Sequence, residues 1–375
     1  MMQIIERLYK GHEPLYPIER LCPADRALFV DIETTGLKKE TTSLYLIGCG
    51  HYTDEGFLTT LLFADSPSEE NIILTEFAER IKTYTHILCF NGDRFDIPYL
   101  EYKAGLYGIK GLFEGITVLD IYKMCKTLRY LLFPDSMRQK AIENFLGIDR
   151  DDMYGGGELI AVYEEYVRTK SPADLELLIT HNREDVLGMH LIMPILYYLD
   201  LRDAKLTFED YEIKKYKCYD GTVAEEVIFF YHTNMYFPVS FSARTETMFV
   251  KLSADTKKIA IRLPIYTQDM KIYFENYRDY CYLPGEDRAI LKSIASTLPK
   301  DRYQKATRQT CYQTVSGKFV KQPDELFTPV LKTDLKDKKN YFRFPDSFKK
   351  EAADEFGRQL LNVFFTIKKR SRSIQ

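Results

Sequence analysis

The stretch FVDIETTGL, residues 29–37, decides how the first half of this chain is read. Apolar residues on either side of Asp31 predict a β-strand, Leu28 to Ile32 with Glu33 at its end. Side chains at i and i+2 of a strand share a face, so Asp31 and Glu33 stand side by side. Paired carboxylates repel and raise each other's pKa. A divalent cation with hard oxygen preference, Mg²⁺ or Mn²⁺, reverses that penalty. Taken alone, a D-x-E on a strand is more often a pair of solvated strand-end charges.

Outward from this stretch the pattern is a mixed one. Leu44 to Tyr52 and Phe57 to Phe63 read as two more strands, and the short polar joins predict antiparallel neighbours. Ser68 to Tyr84 reads as a helix with Ile72, Ile73, Phe77 and Ile81 on one face and Ser68 as its N-cap. A strand at His86 to Phe90, the turn Asn91-Gly92, a helix from about Asp96 to Leu106 and a strand at Ile116 to Ile121 follow. Helices are expected near 136–147, 158–169 and 172–199, the last kinked at Pro194. The order βββαβαβα predicts an α/β fold: a mixed sheet flanked by helices.

Two further segments carry candidate chemistry. In FNGDRFDIPYL, residues 90–100, Asp96 falls at a helix N-terminus, where an Asp is also an ordinary cap. Asn91 either holds the turn or contacts substrate. In THNREDVLGMH, residues 180–190, His181 and Asp185 lie four apart on one helical face. An imidazole there can orient or deprotonate a water, although a single helical His is usually structural. Asp120, closing the fifth strand, reads equally as support for the site or as a cap. Gly155-Gly156-Gly157 lacks the Lys-Ser/Thr of a P-loop and reads as a flexible loop.

DIETTGL, then FNGDRFD, then HNRED, in this order and on these elements, resembles the DEDD (DnaQ-like) 3′→5′ exonuclease superfamily, in particular its YprB-like ribonuclease H-like branch. SLYLIGCG (43–50), AIENFLGI (141–148) and HNREDVLGM (181–189) extend the resemblance, which covers roughly residues 25–200. The resemblance implies an RNase H-like fold. It makes Asp31, Glu33, Asp96 and Asp185 the metal-binding carboxylates of a site for two Mg²⁺ or Mn²⁺ ions. Asp31 would bridge the ions, Glu33 and Asp185 would hold the one that activates water, and Asp96 the one at the leaving oxygen. Thr34, Asn91 and Asn182 are weaker candidates for substrate contact. The family's catalytic His usually stands five residues before the last Asp and its Tyr four before. Here position 180 is Thr and His181 stands at the Tyr spacing, a departure that bears on its role as general base. The activity implied is 3′→5′ hydrolysis of single-stranded DNA or RNA to 5′-nucleotides. The alternatives are a non-catalytic nucleic-acid-binding module, disfavoured because all four carboxylates are present, and a structure-selective endonuclease.

Charge divides the chain of 375 residues. Residues 1–200 hold 20 Lys+Arg against 32 Asp+Glu, a balance of −12, and residues 201–375 hold 32 against 23, a balance of +9. The expected organisation is an N-terminal extension (1–24), the RNase H-like domain (25–200) and a smaller α+β domain (205–375). In the last, Phe249 to Leu252, Lys258 to Leu263 and Met270 to Phe274 read as separate strands and Ser347 to Phe365 as a terminal helix. Its 13 Tyr and 15 Phe fill a core or, with the basic charge, contact nucleic acid or protein, best at 305–313 and 331–344. The tail KKRSRSIQ reads as solvated. No C-x-x-C pair occurs among the seven cysteines, which argues against zinc; Cys49 and Cys89 read as buried thiols. No apolar run is long enough to span a membrane, and Glu6, Arg7 and Lys10 interrupt any signal-peptide pattern, so the expectation is a cytoplasmic protein.

Overall fold

A computed structural model describes residues 2–132, 136–150 and 155–366. The chain forms two compact units, one of Met1–Arg129 and Phe133–Leu199, the other of Tyr130–Leu132 and Asp200–Gln375. The first is built on a six-stranded sheet: β1 (Gln3–Lys10), β2 (Ala27–Thr34), β3 (Leu44–Thr53), β4 (Gly56–Phe63), β5 (His86–Cys89) and β6 (Thr117–Asp120), in the order β1-β4-β3-β2-β5-β6. The β1, β4, β3 and β2 neighbours pair antiparallel; β2–β5 and β5–β6 are parallel. This mixed sheet with its helices is an RNase H-like fold.

Strand β2 lies in the interior of the sheet, and seven of its eight residues are buried, Asp31 alone half so. Its even-numbered side chains Leu28, Val30 and Ile32 pack with Leu74, Phe77 and Leu100 from α1 (Glu70–Ile81) and α2 (Asp96–Leu106). After β6 come three short helices, α3 (Ile121–Cys125), α4 (Arg129–Leu132) and α5 (Gln139–Leu146). A second core contains Tyr45 and Phe63 from the sheet, Leu159 and Tyr163 from α6 (Gly156–Thr169) and Leu178 from α7 (Pro172–Leu191). Tyr45 stacks on Tyr163, ring centroids 4.0 Å apart. Cys49 and Cys89 are buried thiols.

Several local expectations are corrected. Residues 3–10, set apart as an extension, form the edge strand β1. Ile72 is exposed, and Leu74 takes its place in the core. Ser68 does not cap α1: its hydroxyl meets that of Ser66, and Glu69 accepts the Asp65 N–H instead. Gly156 and Gly157 open α6 rather than forming a loop, with the Glu158 carboxylate accepting the Gly155 N–H at 2.8 Å. Helix α7 ends at Leu191 instead of kinking, and a 3₁₀ segment, Met193–Tyr198, carries Pro194. Proline has no N–H to continue the ladder and clashes with the preceding turn.

The second unit is mainly β. Its largest sheet joins β7 (Thr207–Lys217), β8 (Val223–His232), β9 (Phe241–Arg244), β10 (Phe249–Ser253), β11 (Lys258–Tyr273), β15 (Tyr312–Gln322) and β16 (Asn340–Arg343). A small sheet holds β12 (Tyr280–Leu283), β13 (Arg288–Leu291) and β14 (Gln304–Lys305). Helix α8 (Lys292–Ala295) is a single turn, and α9 (Lys350–Thr366) follows the last strand. The two strands expected at 258–263 and 270–274 are one. Strand β11 pairs with β8 and β10 through its first half and with β15 through its second. The intervening Thr267, Gln268 and Asp269 are exposed, so they are polar without being a turn. Many of the aromatics are core: Phe229, Tyr231, Phe319 and Phe356 are fully buried. Within the candidate contact segments, Cys311, Tyr312, Leu331, Tyr341 and Phe342 are buried as well. The KKRSRSIQ tail lies outside the described residues. Among the described residues no helix is long and apolar enough to cross a membrane.

Candidate metal centre

Asp31 and Glu33 share one face of β2, the face covered by α7. Opposite Asp31 in the ladder stands Gly48 of β3. A Cβ at Gly48 would lie 2.0 Å from Asn182 Oδ1 and 2.7 Å from Val186 Cγ2, so glycine here lets α7 approach the sheet. Ser171 caps α7, accepting the Asp174 N–H at 3.3 Å. The helix thereby carries His181, Asn182 and Asp185 to the carboxylate pair. Asn182 Nδ2 donates to Asp31 Oδ2 at 2.8 Å. His181 Nε2 lies 3.4 Å from both Glu33 Oε1 and Asp185 Oδ2, consistent with the one-turn spacing of 181 and 185.

Asp96 arrives from the other side. The chain leaves β5 through Asn91, whose φ of 61° is left-handed, and re-enters helix at Asp96. Asp96 does more than open the helix: its Oδ1 accepts the Ile32 N–H at 3.2 Å, between the two carboxylates of β2 in sequence. Asp120 fixes the same corner, with Oδ1 accepting the Asn91 N–H at 2.9 Å and the Lys123 N–H at 3.3 Å. It therefore caps α3 and supports the turn that leads to Asp96.

Crowding shows in the electrostatics. Burial holds the Asp31 carboxyl well above the ordinary range, and the charges of Asp185, Asp96 and Glu33 push it further; Arg150 opposes them. Asp96 is pushed up to about 7, chiefly by burial, against the two backbone N–H groups it accepts. Carboxylates with raised pKa values are what clustering without a cation produces. Glu33, His181 and Asp185 each offer a ligand atom within 4.8 Å of the others. Hard carboxylate oxygens with one imidazole suit Mg²⁺ or Mn²⁺.

The structure adds residues the sequence did not single out. Arg150 Nη2 lies 2.5 Å from Asp185 Oδ1, while its Nη1 lies 3.2 Å from Glu143 Oε2. Glu143 is 1% exposed and also accepts from Gln139 Nε2, which donates in addition to the Asp185 carbonyl at 3.0 Å. Gly188 of α7 makes room for this pair, since a Cβ there would meet Glu143 Oε1 at 2.4 Å. Asn182 is fully buried behind Asp31, and the Thr34 hydroxyl donates to the Gly36 carbonyl at 2.9 Å. Asn91 is exposed and lines a cleft.

The RNase_H_2 family of the RNase H superfamily matches residues 28–197, so this stretch is a domain of that superfamily, as its motifs suggested. No curated protein matches the chain. Among solved structures, it is similar to a family B DNA polymerase from the hyperthermophilic archaeon Pyrobaculum calidifontis, at 16% identity and TM-score 0.38 over 48% of this chain and 26% of the polymerase. A structure described as the apo form of a nuclease is 19% identical, with TM-score 0.32 over 49% of this chain and 78% of the other. E. coli exonuclease I in complex with a dT13 oligonucleotide is 16% identical, with TM-score 0.27 over 54% of each chain. The chain thus spans about a quarter of that polymerase and about half of exonuclease I.

Proposed function

We propose that this chain is a metal-dependent 3′→5′ exonuclease that hydrolyses single-stranded DNA or RNA and releases 5′-nucleotides by a two-metal mechanism. The observation that carries this reading is geometric: Asn182 bonds Asp31, His181 faces both Glu33 and Asp185, and Asp96 accepts the Ile32 N–H between Asp31 and Glu33, all within the stretch that matches the RNase H superfamily. The four carboxylates would hold two Mg²⁺ or Mn²⁺ ions. Bound there, such ions supply charge to the scissile phosphate, the attacking oxygen and the leaving oxygen of an in-line displacement.

The chain's own residues complete the chemistry. His181 is 5% exposed, and its Nε2 faces the carboxylates, where it can take a proton from an attacking water. Asn182 fixes the rotamer of Asp31 through its amide donor, and the Ile32 N–H does the same for Asp96. Arg150 orients Asp185. The test is a product assay on 5′-labelled single-stranded DNA and RNA with Mn²⁺ or EDTA. A ladder shortened one nucleotide at a time from the 3′ end, lost in EDTA, is the expected result. Internal fragments indicate an endonuclease, and full activity after thorough chelation contradicts the metal-dependent reading.

A further inference from the structure

A second feature of the first unit is a cleft of about 520 Å³ whose lining includes Asn91 and Arg94, from the segment just before Asp96. Arg94, Arg129 and Arg138 line it, each from a different segment: the turn after β5, the start of α4 and the residue before α5. Several other arginines of this unit have carboxylate partners, as in Arg80–Glu76, Arg150–Glu143 and Arg168–Glu165. Among the described residues, no carboxylate pairs with Arg94, Arg129 or Arg138. Residues 1–200 carry 32 acidic against 20 basic side chains, so three guanidiniums in one cleft with no carboxylate partner among the described residues run against the composition. Like charges gathered in a cleft repel one another and focus a positive field, a cost that an anion seated there removes.

Two further lining groups narrow the ligand. Phe90 and Tyr122 meet edge to face, ring centroids 5.8 Å apart, and give the cleft an aromatic wall. Gln139 also lines it, and its amide donates to the Asp185 main-chain carbonyl at 3.0 Å, so one lining side chain touches the helical turn that carries Asp185. Three cations from separate segments, with an aromatic wall, exceed what a lone phosphate needs and fit a strand of linked phosphates and bases.

We propose that this cleft is the subsite for the backbone phosphates of the nucleic-acid strand, with Arg94, Arg129 and Arg138 gripping phosphate oxygens and the Phe90–Tyr122 wall receiving a base. This rests on the nuclease reading above. The test uses the full chain with Ca²⁺ replacing Mg²⁺ or Mn²⁺, a 5′-labelled oligothymidylate, and fluorescence anisotropy across a series of salt concentrations. Each Arg→Gln substitution should weaken binding about tenfold at low salt and reduce the slope of log K against log[salt] by about 0.7. Arg→Lys at the same position should keep the slope. Inorganic phosphate, as a separate probe, should compete only weakly with the oligonucleotide. A wild-type chain that binds and degrades the oligonucleotide, with Arg→Gln variants equal to it in affinity and slope, overturns the subsite while leaving the nuclease reading intact. Arginine-dependent binding of inorganic phosphate with unchanged oligonucleotide affinity also overturns it. A wild-type chain that neither binds nor cleaves overturns both.

Discussion

The Arg150 guanidinium holds the Asp185 carboxylate at 2.5 Å, Nη2 to Oδ1, while the same side chain pairs with the buried Glu143. One arginine therefore neutralises part of a carboxylate cluster that otherwise repels itself. Arg150→Gln should lower the melting temperature of the metal-free protein, and Mn²⁺ should recover part of the loss by supplying positive charge to the same carboxylates. Thermal melts in EDTA and in Mn²⁺ check this. An equal loss in both conditions would show that Arg150 acts through Glu143 packing alone.

Asn182 has no exposed surface, and its amide donor ends on Asp31. Removing an outer partner of a metal ligand typically lowers metal affinity about 10–100-fold. Asn182→Ala should do so here, measured by Mn²⁺ titration calorimetry, with the circular dichroism spectrum unchanged. Wild-type Mn²⁺ affinity in the variant would count against Asn182 as the residue that positions Asp31.

The raised carboxyl of Asp96 makes a signed prediction. Its folded value of about 7 lies above the ordinary value of about 3.9, so the folded state holds the extra proton between those limits. Stability contributed by this group is present at low pH and is lost as pH rises through about 7. His190, lowered to about 4 by burial, acts in the opposite sense at lower pH. Comparison with Asp96→Asn cancels that contribution because both proteins keep His190. In EDTA the variant's melting temperature should exceed the wild-type value by little at pH 5 and by more at pH 8. A constant difference across that range would show that Asp96 does not titrate as its surroundings imply.

Lys103 and Glu70 form a buried pair 3.1 Å apart that anchors the strand following the Glu33 loop, with Glu70 also accepting the Leu44 N–H at 2.6 Å. Breaking a buried pair by removing one partner typically costs about 3–5 kcal/mol. Lys103→Met should lose about that much by urea denaturation, and Lys103→Met with Glu70→Gln should lose less. A single variant as stable as wild type would mean that the pair adds nothing.

The pairings of Asp31 with Glu33 and of His181 with Asp185 were legible in the sequence because their spacing obeys element periods, whereas Asp96 joined them only through the family resemblance. Asp31 and Glu33 follow the two-residue repeat of a strand, and His181 and Asp185 the one-turn spacing of a helix. Arg150 obeys no such rule: it reaches Asp185 from a segment 35 residues earlier, a relation that only the folded chain creates. The role of Gly48 is likewise tertiary, since it depends on how closely α7 lies. Strand β1 was missed because an edge strand carries charges, here Glu6 and Arg7, that blur its alternation. Strand β7, TFEDYEIKKYK, is mostly exposed and charged for its whole length and was hidden for the same reason.

The most direct test of the account compares Asp31→Asn with wild type for mononucleotide release from a uniformly labelled oligonucleotide in Mn²⁺, with melting temperatures taken alongside in EDTA. Asn keeps the shape of Asp31 and its place beside Asn182 but removes a charge that Asp185, Asp96 and Glu33 oppose. Turnover should vanish, while the metal-free variant melts at or above the wild-type temperature because repulsion in the cluster is relieved. An Asp31→Asn protein that releases mononucleotides at the wild-type rate would contradict the proposed centre.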